Sequence, residues 1–296
     1  MIATQQKGEP AQLSPKGLEE LLRLLVAGQS RRVSSAVVDG RTVWIKRMGA
    51  EGVPFFKRLH AWVSPLIPWA ALRSSRIITP TEMVAREAAK TGAFRAAGFP
   101  AAHVLFTQGS ILVLSNAEPI VQAELNRLRV ADAQAHDDLL VQTATTLAAA
   151  HQAGLCHGRP HPRDMILEGE RIGFLDFEEA PEQAMPLADA QARDVFLLFL
   201  QICGQALDEN TSLRAFESYR ADAPADVLPH LASLRGVFSL MHSALGLVEP
   251  IGLGGDGRRL YKASAFLNSV LSPDAGANTK TTLPETLSGQ KPKATR

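Results

Sequence analysis

The apolar positions of this chain change period along its length. Leu18, Leu21, Leu22 and Leu25 recur at helical spacing behind Ser14-Pro15, which predicts a capped amphipathic helix that stops near Gly28. Two short runs, 34–38 and 42–46, flank Asp39-Gly40. Asp-Gly is a strong two-residue turn signal because its second position, at least, needs positive φ, so these runs predict a β-hairpin with Lys46 at the end of its second strand. A helical stretch over 81–97 ends at Gly98-Phe99-Pro100, and short strands are expected over 102–106 and 110–114. From Ala131 the period becomes helical again. One long helix is expected over 132–153, ending at Gly154. A polar loop (157–164), a strand pair (165–167 and 171–175) and an acidic turn (176–179) follow, and the remainder from about 186 to 271 reads as helical. Strands first and helices later predict an α+β chain with a small β-rich lobe and a larger helical lobe, the boundary falling near 115–121.

Composition narrows the class. With 296 residues, 46% apolar and 21% charged, the chain has enough material for two lobes sharing a cleft. The net charge of +1 gives no global electrostatic reason for a nucleic-acid partner. Two cysteines, Cys156 and Cys203, are too few for a disulfide framework, and a cytoplasmic location is expected. No apolar run reaches transmembrane length, and the first ten residues lack the order of a signal peptide. The expected organisation is an N-terminal segment and helix (1–30), an N-lobe (31–118), a helical C-lobe (119–272) and a disordered tail (273–296). Between 48 and 80, Phe55, Phe56, Trp62 and Trp69 alternate with Lys57, Arg58, Arg73 and Arg76. That is the composition of a segment lying on an anionic membrane surface, with 53–76 as the contact; packing of the tryptophans on the small lobe is the other reading.

Candidate chemistry centres on the run from His157 to Glu178. A polar loop feeding a tight hairpin brings Asp164 and Asp176 to neighbouring strand ends. Two close carboxylates repel unless a cation sits between them, and Mg²⁺ suits oxygen ligands that leave positions open for phosphate. The run resembles the catalytic and metal-binding loops of the protein-kinase-like superfamily, in its aminoglycoside phosphotransferase and lipopolysaccharide (Kdo) kinase branches. There the loop reads His-Gly-Asp-x-His-Pro-x-Asn and the metal turn reads Asp-Phe-Glu. The spacing agrees, with Asp164 twelve residues and Arg159 seventeen residues before Asp176.

The resemblance implies a bilobal kinase-like fold that binds ATP and Mg²⁺. Lys46 matches the strand lysine that holds the phosphates, Glu87 the helix glutamate that orients it, and 111–116, with Leu114 and Asn116, the strand and hinge that receive the base. Asp164 and Asp176 match the metal ligands, and Asp194 the aspartate that braces the loop. His157 is expected as a loop brace. His161 is a catalytic candidate, although its counterpart in the family is mainly scaffold. The implied activity is phosphotransfer to a sugar or lipopolysaccharide-type glycolipid hydroxyl at the inner membrane surface.

Three departures stand out. Arg159 occupies the position of the catalytic aspartate, and a guanidinium cannot accept a proton. Asp164 replaces asparagine. No Gly-x-Gly-x-x-Gly run precedes Lys46. Arg159 leaves two readings open: an enzyme whose arginine holds an anionic acceptor, or a pseudokinase whose arginine pairs with Asp164 or Asp176 and keeps the metal out. The glycine cluster at 253–259 is expected to cap the last helix rather than to cradle a phosphate.

Overall fold

A computed structural model describes residues 12–27, 31–49, 78–248 and 252–272. The aromatic and basic stretch at 53–76 and the tail at 273–296 lie outside the described residues. Helix α1 (Pro15–Val26) begins where Ser14 Oγ accepts from the Gly17 N–H at 3.0 Å. The hairpin follows as β1 (Val33–Val38) and β2 (Arg41–Arg47), with Asp39 and Gly40 at φ +54° and +73°. Both turn residues therefore take the left-handed conformation that a two-residue hairpin requires. Asp39 also accepts from the N–H and hydroxyl of Ser14, at 2.8 and 2.5 Å, and so docks α1 onto the hairpin.

Helix α2 (Pro80–Ala96) opens with a capping box between Thr79 and Glu82, and β3 (Val104–Gln108) and β4 (Ile111–Ser115) complete a four-stranded antiparallel sheet in the order β1-β2-β4-β3. The period-2 alternation of β2 divides its side chains between two faces. Val43 and Ile45 pack with Leu21, Val38 and Val113 beneath α1. Trp44 and Lys46 point the other way, opposite Leu114 and Leu112, towards the cleft.

The helical lobe holds α3 (Val121–Ala131), α4 (Ala133–Gln152), α5 (Leu187–Gln205), α6 (Thr211–Asp222), α7 (Val227–Ser233), α8 (Arg235–Val248) and α9 (Gly255–Val270) around one core that includes Leu140, Leu147, Phe174, Phe199, Tyr219 and Leu267. The expected helix at 132–153 is observed as α4, whereas α3 was not foreseen. Asp132 leaves helical geometry (φ −158°), and its carboxylate caps α4 through the Ala135 N–H. Gly254 stands at the N-cap of α9, as expected for the 253–259 cluster.

The hairpin β5 (Met165–Glu168) and β6 (Arg171–Phe174) joins the lobes. Leu167 N–H donates to Pro119 O, and Phe174 N–H to Pro100 O, both at 2.9 Å. Gly173 permits this approach, because a Cβ there would lie 1.9 Å from the Pro100 carbonyl oxygen. The observed architecture is α+β and bilobal. Among the described residues no single helix is long and apolar enough to cross a membrane; α7 and α8 pass that test only as a pair, bent by 44°.

Candidate active site

Lys46 is the point where the lobes meet electrostatically. Its Nζ lies 2.5 Å from Glu87 Oε1 on α2 and 2.6 Å from Asp176 Oδ1, just after β6. Burial alone would lower the lysine's proton affinity, but the two carboxylates more than offset this and raise it, so Lys46 is held as a cation. Glu87 is fully buried, and its second oxygen, Oε2, has no hydrogen-bond partner. Burial raises its pKa against the lowering effect of Lys46. Asp176 keeps a lowered pKa: burial opposes ionisation, and Lys46 and then Arg159 overcome it. Its φ of +63° is rare outside glycine and aims the carboxylate back into the cleft, a geometry that the surroundings must enforce.

The loop is braced from below by Asp194 on α5. This fully buried carboxylate accepts from the N–H groups of His157 (2.6 Å) and Gly158 (2.9 Å). Gly158 sits at φ +103°, and a Cβ there would lie 2.7 Å from the Glu179 carbonyl oxygen. His157 is buried, and burial depresses its pKa to about 4. The neutral ring donates from Nε2 to Leu175 O at 2.8 Å and accepts at Nδ1 from the Arg159 N–H.

His161 Nδ1 likewise accepts, from the Arg163 N–H at 3.0 Å. This bond holds the His161 ring against its own loop.

Arg159 points into the cleft. Its Nη2 lies 3.5 Å from Asp176 Oδ2, so both oxygens of that carboxylate face cations of the chain itself. Asp164 is different. It is buried, its Oδ2 has no hydrogen-bond partner, and burial together with the Asp176 charge pushes its pKa up to about 6. The strand ends meet as expected, with the Leu175 N–H donating to Asp164 O at 2.8 Å. An orphaned carboxylate oxygen beside a second carboxylate is a hard-oxygen donor set, and it fits Mg²⁺.

A second acidic grouping was not foreseen. Carboxylate oxygens of Glu87, Asp176 and Glu178 lie within 4.8 Å of one another, and Glu178 is also paired with Arg32. The only sequence signal was the last residue of Asp-Phe-Glu, and Arg32 lies 146 positions away.

A cavity of about 290 Å³ opens above these groups. Its lining combines charged groups, Lys46, Glu118, Arg163, Asp164 and Asp176, with the apolar side chains of Trp44, Leu114, Ile120 and Leu175 among others. Leu114 thus lies on the cavity wall. Asn116 is not a lining residue; its Oδ1 accepts at 2.9 Å from Nε1 of Trp44, which is. Trp44, two residues before Lys46 on the same strand face, was missed. Its role shows only when the alternation of β2 is combined with the neighbouring strand. A larger cavity of about 570 Å³, lined by Phe99, Pro100, Val141, Thr145 and Ile172 among others, contains none of these residues. That cavity is lined by charged residues as well, Asp138, Glu170, Arg171 and Arg214, so it is the Lys46, Glu87 and Asp176 contacts that single out the smaller one.

A four-stranded sheet carrying a strand lysine, a helix glutamate paired to it, and a hairpin aspartate closing the triad from a helical lobe define a kinase-like bilobal architecture. Comparison with known proteins adds a limited finding. No family model and no curated protein matches the chain. Two solved structures of a MAP kinase, LmaMPK10 from Leishmania major, are similar to it. One shows 14% identity and a TM-score of 0.36 over 90% of this chain and 94% of that one; the other shows 13% and 0.32 over 93% and 95%. Likenesses of this size carry no argument about this chain, and the assignment rests on the element order and the Lys46 geometry.

Proposed function

We propose that the chain is a kinase-like phosphotransferase that binds ATP in the cleft beneath Trp44 and transfers phosphate to a sugar or glycolipid hydroxyl, in the manner of the lipopolysaccharide kinase and aminoglycoside phosphotransferase branch. The observation that carries this reading is the Lys46 ammonium held between Glu87 and Asp176 at 2.5 and 2.6 Å, in the wall of a cavity that Trp44 and Leu114 also line. A planar base would rest against Trp44 and Leu114, and Lys46 would hold phosphate oxygens. Asp164 and Asp176 would hold Mg²⁺, which when bound neutralises phosphate charge. In the reaction, the acceptor oxygen bonds to the γ-phosphorus as the bond to the β-bridging oxygen breaks; ADP leaves, and the hydroxyl proton passes to solvent or to the transferred group. Such transition states are loose, so positioning and charge stabilisation outweigh base strength, and loss of a base costs about 10²–10⁴-fold. Contact of 53–76 with an anionic membrane surface belongs to the same proposal.

A second reading, a pseudokinase that binds nucleotide without turnover, is favoured by the 3.5 Å approach of Arg159 to Asp176, since Arg159 competes with a metal ion for that carboxylate. Thermal shift with ATP, with and without Mg²⁺, on the wild type and Asp176→Ala tests both. Stabilisation by ATP that is lost in the variant supports a nucleotide site. No stabilisation in either metal condition refutes both readings.

A further inference from the structure

Helix α8 turns an apolar ridge to solvent. Its inner face is held by Phe238, which is fully buried with its ring 5.1 Å from that of Phe196. On the outer face Leu240, Leu247 and Val248 are 68%, 81% and 46% exposed, and Ala244 between them is exposed too. Positions 240, 244, 247 and 248 follow the i, i+4, i+7, i+8 spacing of one helix face, so the four are contiguous. A lone exposed apolar side chain, such as Val130 at 90%, is ordinary; a row of them marks a contact.

The charge around this ridge is biased. Over 227–272, Arg235, Arg258, Arg259 and Lys262 stand against Glu249 and Asp256, and no acidic residue occurs from Val227 to Val248. Asp256 is paired with Arg259 at 3.4 Å, whereas Arg258 and Lys262 are exposed and form no salt bridge among the described residues. The two helices lie side by side. The Tyr261 ring stacks on His242 with centroids 4.4 Å apart, and a Cβ on Gly246 would lie 3.7 Å from it. Arg258 and Lys262 flank Tyr261 on α9, and Leu247 follows Gly246 on α8, so cations border the ridge. Helix α1 also exposes Leu18, Leu22 and Val26, but there Glu19 and Glu20 offset Lys16 and Arg23.

A convex ridge edged with cations fits a lipid surface better than a second copy of the chain. The 14 residues of α8 span about 21 Å, so a strip about 10 Å wide offers on the order of 200 Å², against roughly 800 Å² per partner in a stable dimer. That length is also too short for the roughly 30 Å hydrocarbon core, and the inner face is committed to the protein. Apolar side chains set below the headgroups, with Arg and Lys among the phosphates, are how a helix lies on an anionic membrane. We propose that α8 and the Arg258–Lys262 edge of α9 form a docking face for an anionic phospholipid surface. This face is separate from 53–76 and does not depend on the nucleotide reading.

The test is flotation of the full chain with phosphatidylcholine vesicles, with and without about 30% phosphatidylglycerol. Wild type should float with the anionic vesicles. Leu240→Ser combined with Leu247→Ser should weaken partitioning about 30-fold or more, and Arg258→Gln combined with Lys262→Gln about 10- to 30-fold, while Val130→Ser leaves it unchanged. All these side chains are exposed, so the variants should melt within about 2 °C of wild type without lipid. Cys156 and Cys203 are buried, so Leu247→Cys takes a polarity-sensitive dye at that position, and its emission should shift to the blue on the same vesicles. Wild type left in solution overturns the proposal, and so does equal partitioning into neutral and anionic vesicles. Flotation unaffected by the leucine pair, or an unshifted dye, also overturns it; the membrane contact then lies elsewhere, as at 53–76, and that part of the proposed function survives. A dimer in light scattering that the leucine pair dissociates, without vesicle binding, overturns it as well and assigns the ridge to a second copy.

Discussion

Replacing Asp164 by asparagine should stabilise this protein at neutral pH in the absence of metal. The carboxylate is buried, one oxygen has no hydrogen-bond partner and only the distant Arg163 at 3.7 Å, and its pKa rises from 3.8 to about 6 through burial and the Asp176 charge. A carboxyl whose folded pKa is raised contributes stability that is fully present below pH 4 and is lost as pH climbs through 6. Ionisation is thus resisted by the fold, and wild type forfeits roughly 3 kcal/mol by pH 8 at about 1.4 kcal/mol per pKa unit. Asparagine has nearly the same shape and no charge to desolvate, so it avoids that loss. For a chain of this size roughly 2–4 °C of Tm corresponds to 1 kcal/mol, so Asp164→Asn should melt about 6–12 °C above wild type at pH 8. At pH 4 the two should converge. The assay is thermal unfolding from pH 4 to 8 in EDTA, repeated with Mg²⁺. With Mg²⁺ the advantage of asparagine should shrink, because the metal adds positive charge where Arg163 at 3.7 Å does not offset burial. A variant less stable than wild type at pH 8, or a difference that does not change with pH, would refute the reasoning.

Other perturbations probe separate contacts. Lys46→Met leaves the buried Glu87 without its cation and should cost about 3–5 kcal/mol in denaturant unfolding, with a large part restored by adding Glu87→Gln. Asp194→Asn loses the charge that accepts two loop N–H groups and should cost about 2–4 kcal/mol, with faster hydrogen exchange at His157 and Gly158. Gly158→Ala is strained at φ +103° and drives its Cβ against the Glu179 carbonyl, so it should lower Tm by several degrees, as melting curves will show. Arg159→Asp removes the cation facing Asp176, and Mn²⁺ titration followed by electron paramagnetic resonance should show about tenfold or greater tightening.

Local signals carried most of the fold. Asp39-Gly40, Ser14-Pro15, the Gly98 helix end and the 165–175 hairpin are each encoded within a few residues, and each element appears within two or three positions of where it was expected. Helix α3 was missed because only Val121 and Leu125 of its eleven residues are buried, which leaves almost no apolar stripe to read. The Lys46, Glu87 and Asp176 set was legible because three separated motifs fell in an order that one fold explains. What stayed hidden depends on distant pairs. The Trp44–Asn116 bond spans 72 positions and the Arg32–Glu178 pair spans 146. No periodicity encodes such pairings. The captured lone pair of His161 is likewise a matter of loop geometry, invisible in His-Pro-Arg-Asp.

The central claim is that Lys46 lies against nucleotide phosphates in the cleft, and lysine acylation by an ATP acyl-phosphate reagent tests it most directly. Peptide mass spectrometry should find the acyl group on Lys46, suppressed by excess ATP and absent from Asp176→Ala. Labelling spread over exposed lysines, with Lys46 untouched or unprotected by ATP, would contradict it.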